Sequence, residues 1–168
     1  MIIPLLLASQ NVGVCNPTPT TLALLDTVAF AEGTHQSYTT HFTGVTAPIP
    51  PSGHPDKTYC HKTLCSTAYG RYQFLSSTWE MIERNLGFKD MRPGNQDRAA
   101  IWLMRRRDGR VCSQIDDSLE FQLVLSNLGE EWASLPGSPY GQPTKSLAEL
   151  WTFYQNRLLN IYIYNTNF

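Results

Sequence analysis

Cationic side chains are missing from the first third of this chain, where no lysine or arginine precedes Lys57. Charge of either sign is sparse: 16% of the 168 residues are charged, and 13 Lys and Arg against 14 Asp and Glu leave a net charge of −1. Such a balance gives no global field for nucleic acid. Long apolar runs are lacking as well. The opening MIIPLLLAS is broken by Pro4 and has no basic residues before it, so it makes a poor export signal and is too short to span a bilayer; a weak uncleaved export signal stays open. No internal repeat and no linker between periodic halves is visible, which removes solenoids and two-domain plans. A chain of this length buries about 68–70% of the surface it exposes when unfolded, so a core forms without help from metal or disulfide.

What is present is a series of helix signals. Thr18 followed by Pro19 offers an N-cap and first-turn pair ahead of TTLALLDTVAFAE. SSTWEMIERNLG reads as a helix with a Ser77 to Glu80 capping box and a Gly87 stop. NQDRAAIWLMRRR follows Pro93 and Gly94 as an amphipathic helix, DDSLEFQLVLSNLG starts on an aspartate cap and ends at Gly129, and SLAELWTFYQNRLLN repeats the capping box with Ser146 and Glu149. The alternation of the following IYIY predicts a short extended tail. Residues 34–66, rich in Thr, Pro, His, Gly and Ser, carry no helical period and predict a β-rich lip beside a site. Residues 1–17 read as an apolar extension and 18–168 as one domain.

Four stretches carry candidate chemistry. In VAFAEGT, Leu25, Val28, Ala29 and Glu32 fall at helical spacing, so Glu32 continues an apolar stripe while Asp26 and Thr27 point elsewhere. Desolvation and the negative end of the helix both favour the protonated carboxyl, which suits a general acid; a frayed helix end reaching water is the plain alternative. In CSTAYGRYQFLSSTWE, Ser66, Gly70, Tyr72 and Gln73 offer close backbone approach, stacking and amide hydrogen bonds of the kind sugars use, or else a turn with core aromatics. In SNLGEEWASLPGSPYGQ, Asn127 stands at a helix end, where it either meets a polar group of a ligand or caps the helix, and Tyr140 in a Gly and Pro loop that can present its ring outward. The cluster RRRDGR, Arg105 to Arg110, is either a solvated helix end or a contact for an anionic polymer. Among Cys15, Cys60, Cys65 and Cys112, a local Cys60–Cys65 bridge is the best single pairing, and CHKTLC lacks the spacing of a zinc knuckle even with His54 and His61 nearby. No metal or cofactor is expected.

The order AEGT, STAYGRYQ with its following Leu, Ser and Trp, GFKD, the QD of NQDRAA, WASLPG and YGQ resembles the phage lambda endolysin family, over roughly residues 24 to 155. The resemblance implies an α+β, lysozyme-like fold: a mainly helical domain with a small β-hairpin lip over a sugar-binding cleft. It implies a peptidoglycan lytic transglycosylase, with Glu32 as catalytic acid and base, Gly70, Arg71, Tyr72 and Gln73 lining the cleft, and lips at part of 40–65 and at 135–142, where Tyr140 and Gln142 stand. The expected partner is the peptidoglycan glycan strand, met by a monomer in the bacterial periplasm without stable membrane insertion; phage lysis, virion carriage and secretion are all compatible routes. HPDK, His54 to Lys57, resembles the family's His-Pro-x-Lys, but the lip before it is shorter and carries the Cys60 and Cys65 pair.

A hydrolytic lysozyme of the phage T4 type would place an aspartate and a threonine where this chain has His41 and Ala47. Asp56 is the only other acid between Glu32 and Glu80, so the sequence favours a one-carboxylate mechanism over a two-carboxylate one. The rival readings are a hydrolytic muramidase on the same bond, a non-catalytic wall-binding or virion module, and, more weakly, a zinc hydrolase.

Overall fold

The computed structural model describes residues 15–165; the apolar stretch at residues 1–14 lies outside them. Five helices and one hairpin make up the described fold: α1 (Pro19–Ala31), β1 (Tyr59–His61), β2 (Leu64–Ser66), α2 (Ser76–Leu86), α3 (Pro93–Arg107), a 3-10 turn (Gly109–Cys112), α4 (Ser118–Leu128) and α5 (Leu147–Asn165). None of the helices, among the described residues, is long and apolar enough to cross a membrane.

Helix α1 is the axle of the domain. Thr18 caps it by accepting from the Thr21 N–H at 3.1 Å, Thr21 answers by accepting from the Thr18 N–H at 3.2 Å, and Pro19 fills the first turn. The helix is buried around most of its circumference, Asp26 and Thr27 included, so the stripe read from the sequence is one face of a central helix. Its main packing partner is α5. Cys15, just before the cap, is disulfide-bonded to Cys112 of the 3-10 turn.

The helix ends follow the sequence with three corrections. Asp117 caps α4 by accepting from the Leu119 and Glu120 N–H groups, both at 2.9 Å, and Ser146 and Glu149 form the expected capping box on α5. Helix α2 does not use the Ser77 to Glu80 box: its N-cap is Leu75, which supplies no side-chain bond. The Thr67 hydroxyl takes the Ser76 N–H instead, at 3.1 Å, and the helix starts two residues early, with Ser77 inside it. Pro93 and Gly94 belong to α3 rather than preceding it, because proline fits a first helical turn. The extended tail expected at IYIY is helical to Asn165. Nothing in that segment breaks a helix, and Leu158 and Ile161 pack on the core at helical spacing.

The lip is less β-rich than residues 34–66 predicted. Its only sheet is the antiparallel β1–β2 pair, in register Tyr59 with Ser66, Cys60 with Cys65 and His61 with Leu64. Isolated bridges such as Thr40 with Thr46 and His41 with Tyr69 hold the remainder. Pro48, Pro50, Pro51 and Pro55 withdraw the backbone donors that longer strands would need. The Cys60–Cys65 disulfide crosses the hairpin, so neither thiol is free to bind zinc and the metal reading of CHKTLC is overturned.

The arginine cluster is paired within the protein. Arg107 meets Glu130 and Glu131, Arg110 meets Asp108, and Arg106 lies over the Trp102 ring. These partners fit the solvated helix end better than a polymer contact.

Candidate active site

The end of α1 delivers Glu32. It is the C-cap of the helix, and its N–H is taken by the Val28 carbonyl at 2.9 Å. Gly33 follows with φ 73 and turns the chain away. Thr34 then locks the turn, donating from its hydroxyl to the Ala29 carbonyl at 3.1 Å and the Arg71 carbonyl at 2.5 Å. Glu32 therefore stands at the negative end of a rigid helix, half-buried.

Its side-chain partner among the described residues is Ser134, whose hydroxyl donates to Glu32 Oε1 at 2.5 Å across 102 residues of sequence. Burial pushes the Glu32 carboxyl up from 4.5 to about 7, with the Ser134 hydroxyl and backbone N–H pulling the other way. Desolvation wins, and the group titrates near neutrality.

Glu32 opens into a cleft of about 660 Å³, the size of a small-ligand site. Leu64, Cys65, Ser66 and Phe42 form the lip side, and Gln73, Leu75 and Thr78 the base. The opposite wall is the segment after α4, from Glu130 to Ser134, with Tyr140, Gln142 and Pro143 at its margin. Of the predicted residues, the structure thus brings Glu32, Ser66, Gln73, Tyr140 and Gln142 to one cavity. Gln73 sits there with φ 48, its amide donating to the Thr40 and Gly70 carbonyls at 2.9 and 2.8 Å. Tyr140 is exposed, and its hydroxyl donates to the Glu130 carbonyl at 3.0 Å.

Gly70, Arg71, Tyr72 and Asn127 are corrected. Tyr72 is fully buried; its hydroxyl donates to Asp97 at 2.6 Å, so no face is left for a sugar. Arg71 is buried too: its guanidinium pairs with Asp26 and donates to the His35 carbonyl at 2.8 Å and to the Tyr38 and Tyr72 hydroxyls. Asp26 is shared with Arg157 of α5 at 2.5 Å. Gly70 serves an internal close approach instead of a ligand: with φ 86, a side chain there would run into the Gln96 amide. Gln96, fully buried, accepts from the Arg71 N–H at 2.9 Å and donates to the Tyr38 and Met91 carbonyls. The turn thus shapes the wall from behind. Asn127 donates to Asp108 at 3.0 Å and ties α4 to the segment after α3, away from the cleft.

Sequence reasoning missed Ser134, Glu130, Glu131 and Trp132. WASLPG and the preceding acids are visible in the sequence, but only the fold brings them opposite Glu32. Trp132 is buried, and its indole N–H donates to the Tyr72 carbonyl at 3.0 Å. His41 and His54 are structural. His41 is buried and stacked on Tyr59 at 3.7 Å. His54 accepts from the Asp56 N–H and lies 2.9 Å from the Phe74 carbonyl, and burial lowers its basicity.

Comparison with known proteins settles the family. Residues 22–161 match the profile described as Endolysin. The chain belongs to the endolysin family. It is 37% identical over 105 residues to the endolysin of Escherichia phage P2, an alignment spanning 61% of each protein. It is 34% identical over 128 residues to the endolysin of Escherichia phage lambda, covering 71% of this chain and 79% of that relative. Among solved structures, bacteriophage lambda lysozyme complexed with a chitohexasaccharide superposes with a TM-score of 0.75 at 28% identity, covering 85% of this chain and 96% of that one. A second structure of lysozyme from bacteriophage lambda gives 0.71 at 26% identity over the same shares. The lysozyme-like α+β fold expected from the sequence is the fold of this family.

Proposed function

We propose that the chain cleaves the β-1,4 bond between N-acetylmuramic acid and N-acetylglucosamine of bacterial peptidoglycan as a lytic transglycosylase, and so lyses the cell wall from the periplasm. The observation that carries this reading is a single carboxyl, Glu32, raised to about 7 in a cleft where no cation among the described residues pairs with it. The other two acids of the cleft, Glu130 and Glu131, are both held by Arg107. A two-carboxylate hydrolysis needs a second free acid across the bond, whereas an intramolecular transfer needs one.

In this mechanism protonated Glu32 gives its proton to the glycosidic oxygen. The bond from the muramyl anomeric carbon to that oxygen breaks, and the electron pair leaves with the glucosamine unit. The muramyl 6-hydroxyl attacks the anomeric carbon, and its proton passes to the Glu32 carboxylate, closing a 1,6-anhydro ring and restoring the acid. The nucleophile is carried by the substrate, which supplies a high effective concentration. Ser66, Gln73, Tyr140 and Gln142 supply the polar and aromatic glycan contacts. The similarity of this chain to a lysozyme complexed with a chitohexasaccharide supports a glycan as ligand.

Mass analysis of muropeptides after digestion tests this reading. Anhydro ends, one water lighter than hydrolysed ends, are expected. Reducing ends would establish a hydrolytic muramidase, and peptidoglycan bound without release of soluble fragments would establish a binding module.

A further inference from the structure

The segment that faces Glu32 is held too firmly for Ser134 to be a chance neighbour. Trp132 and Leu135 on either side of it are buried at 4% and 0% exposure. The Trp132 N–H bonds to the Leu128 carbonyl at 3.1 Å and the Leu135 N–H to the Trp132 carbonyl at 3.1 Å, so the stretch is a tight turn on the end of α4. The Trp132 indole fastens that turn to the Tyr72 carbonyl, and Gly137 packs against Ser126 with φ 86. Ser134 is thereby held by two buried anchors, with its hydroxyl aimed at one oxygen of Glu32. Its backbone N–H acts on the same carboxyl.

We propose that Ser134 is a positioning residue for Glu32: its hydroxyl occupies Oε1, so that the transferable proton rides on Oε2, and it holds the carboxylate in place between giving and retaking that proton. The inference rests on the acid and base role proposed for Glu32. A carboxylic acid carries its proton on either oxygen, and a donor fixed on Oε1 makes that oxygen the acceptor and leaves the other as the acid. Once the proton has gone, the same donor faces a charged oxygen, where a hydrogen bond is stronger. The two states of Glu32 are thus held in one geometry with no rearrangement of the turn, as an acid that must act again as a base requires. Ser134 does not touch the reacting atoms in this arrangement; it acts through Glu32.

The other charged residues that line the cleft beside this pair come from one wall only. Glu130 and Glu131 precede Ser134 on the same segment and both pair with Arg107. The lip side contributes no charged residue to the cleft lining, and the end of α1 contributes Glu32 alone.

The test compares Ser134→Thr, which keeps a hydroxyl, with Ser134→Val, which has the same shape without one, and Ser134→Ala. Purified full-length proteins are assayed on peptidoglycan sacculi across pH, and the Glu32 side-chain carboxyl is followed by carbon NMR in the absence of substrate. With Val and Ala, kcat is expected to fall about 10-fold to 100-fold with KM within about twofold, and the Glu32 titration and the alkaline limb of activity to move upward together by about half a pH unit or more. Thr is expected to restore both. If Val and Ala match Thr in kcat and in the Glu32 titration, the proposal is overturned. A defect from bulk alone would hit Thr and Val equally, and that result also overturns it. Glu32→Gln, run beside them, separates the two readings: if it retains activity, the role of Glu32 fails, whereas an inactive Glu32→Gln with unaltered Val and Ala variants overturns Ser134 alone.

Discussion

The inner wall behind the cleft and the lip over it hold their shape by different means. Behind the end of α1, the Gly70–Gln73 turn is fixed by buried charge: Asp26 on α1 pairs with Arg71 of the turn and with Arg157 of α5, and Arg71 reaches Tyr38 and Tyr72, whose hydroxyls converge on Asp97. The lip is a hairpin of six strand residues, most of them exposed, closed by one disulfide and braced by the His41 and Tyr59 stack. The difference follows from what each wall must do. A carboxyl held protonated near pH 7 needs dry, unmoving surroundings, and low-dielectric ion pairs whose buried polar atoms all have partners among the described residues provide them. A wall that admits a polymer needs accessible polar groups and little else.

The sharpest break in that comparison removes the carboxyl. Glu32→Gln keeps the shape and is expected to lower activity about 1,000-fold, the middle of the range for general acid and base catalysis, read as soluble muropeptide release. Its stability should change in the opposite sense. Glu32 holds its proton to about pH 7 in the folded protein, against 4.5 as its ordinary value, so the folded state binds more protons between those values. Stability falls as pH rises through that window and stays lower above it. Glutamine removes this loss, so urea unfolding at pH 8 should find the variant more stable by up to about 3 kcal/mol, with little difference at pH 4. Wild-type kcat/KM should decline above about pH 7 as the acid ionises.

Next in size is the inner wall. Asp26→Ala leaves Arg71 and Arg157 without their shared carboxylate, and a buried guanidinium losing its partner is expected to reduce stability by about 3 kcal/mol or more, measured by urea unfolding. Gly70→Ala is expected to reduce it by about 2–3 kcal/mol, from the left-handed backbone and the collision with Gln96 together. A value near zero for either would mean that the wall does not depend on this network.

How much of this was legible in the sequence depended on how far away the partner lay. Glu32, the caps at Thr18, Asp117 and Ser146, and the Cys60–Cys65 pairing were readable because spacing of a few residues carries them. The GRYQ turn misled because tyrosine and arginine look the same whether they meet a sugar or a buried aspartate; only Asp26, 45 residues before Arg71, decides it. Ser134 was hidden for the same reason, being 102 residues from the carboxyl it touches. The helical IYIY showed a local pattern overruled by packing against the core.

The smallest effect belongs to the hairpin, and it should appear in binding instead of stability. The Cys60–Cys65 bridge closes a sequence separation of only 5 residues, so the unfolded chain gains little freedom when it is removed, about 2 kcal/mol at most. The strands it joins add few buried groups to the core. The Cys60→Ser and Cys65→Ser double variant tests this more cleanly than a reductant, which would also open Cys15–Cys112 across 97 residues. Leu64, Cys65 and Ser66 line the cleft, so loosening the hairpin should raise KM for glycan strands a few-fold while kcat stays close to wild type, since Glu32 and Ser134 are held from the other side. A fall in kcat at unchanged KM would show that the lip helps to set the geometry of the carboxyl, and the division of labour between the two walls would be wrong.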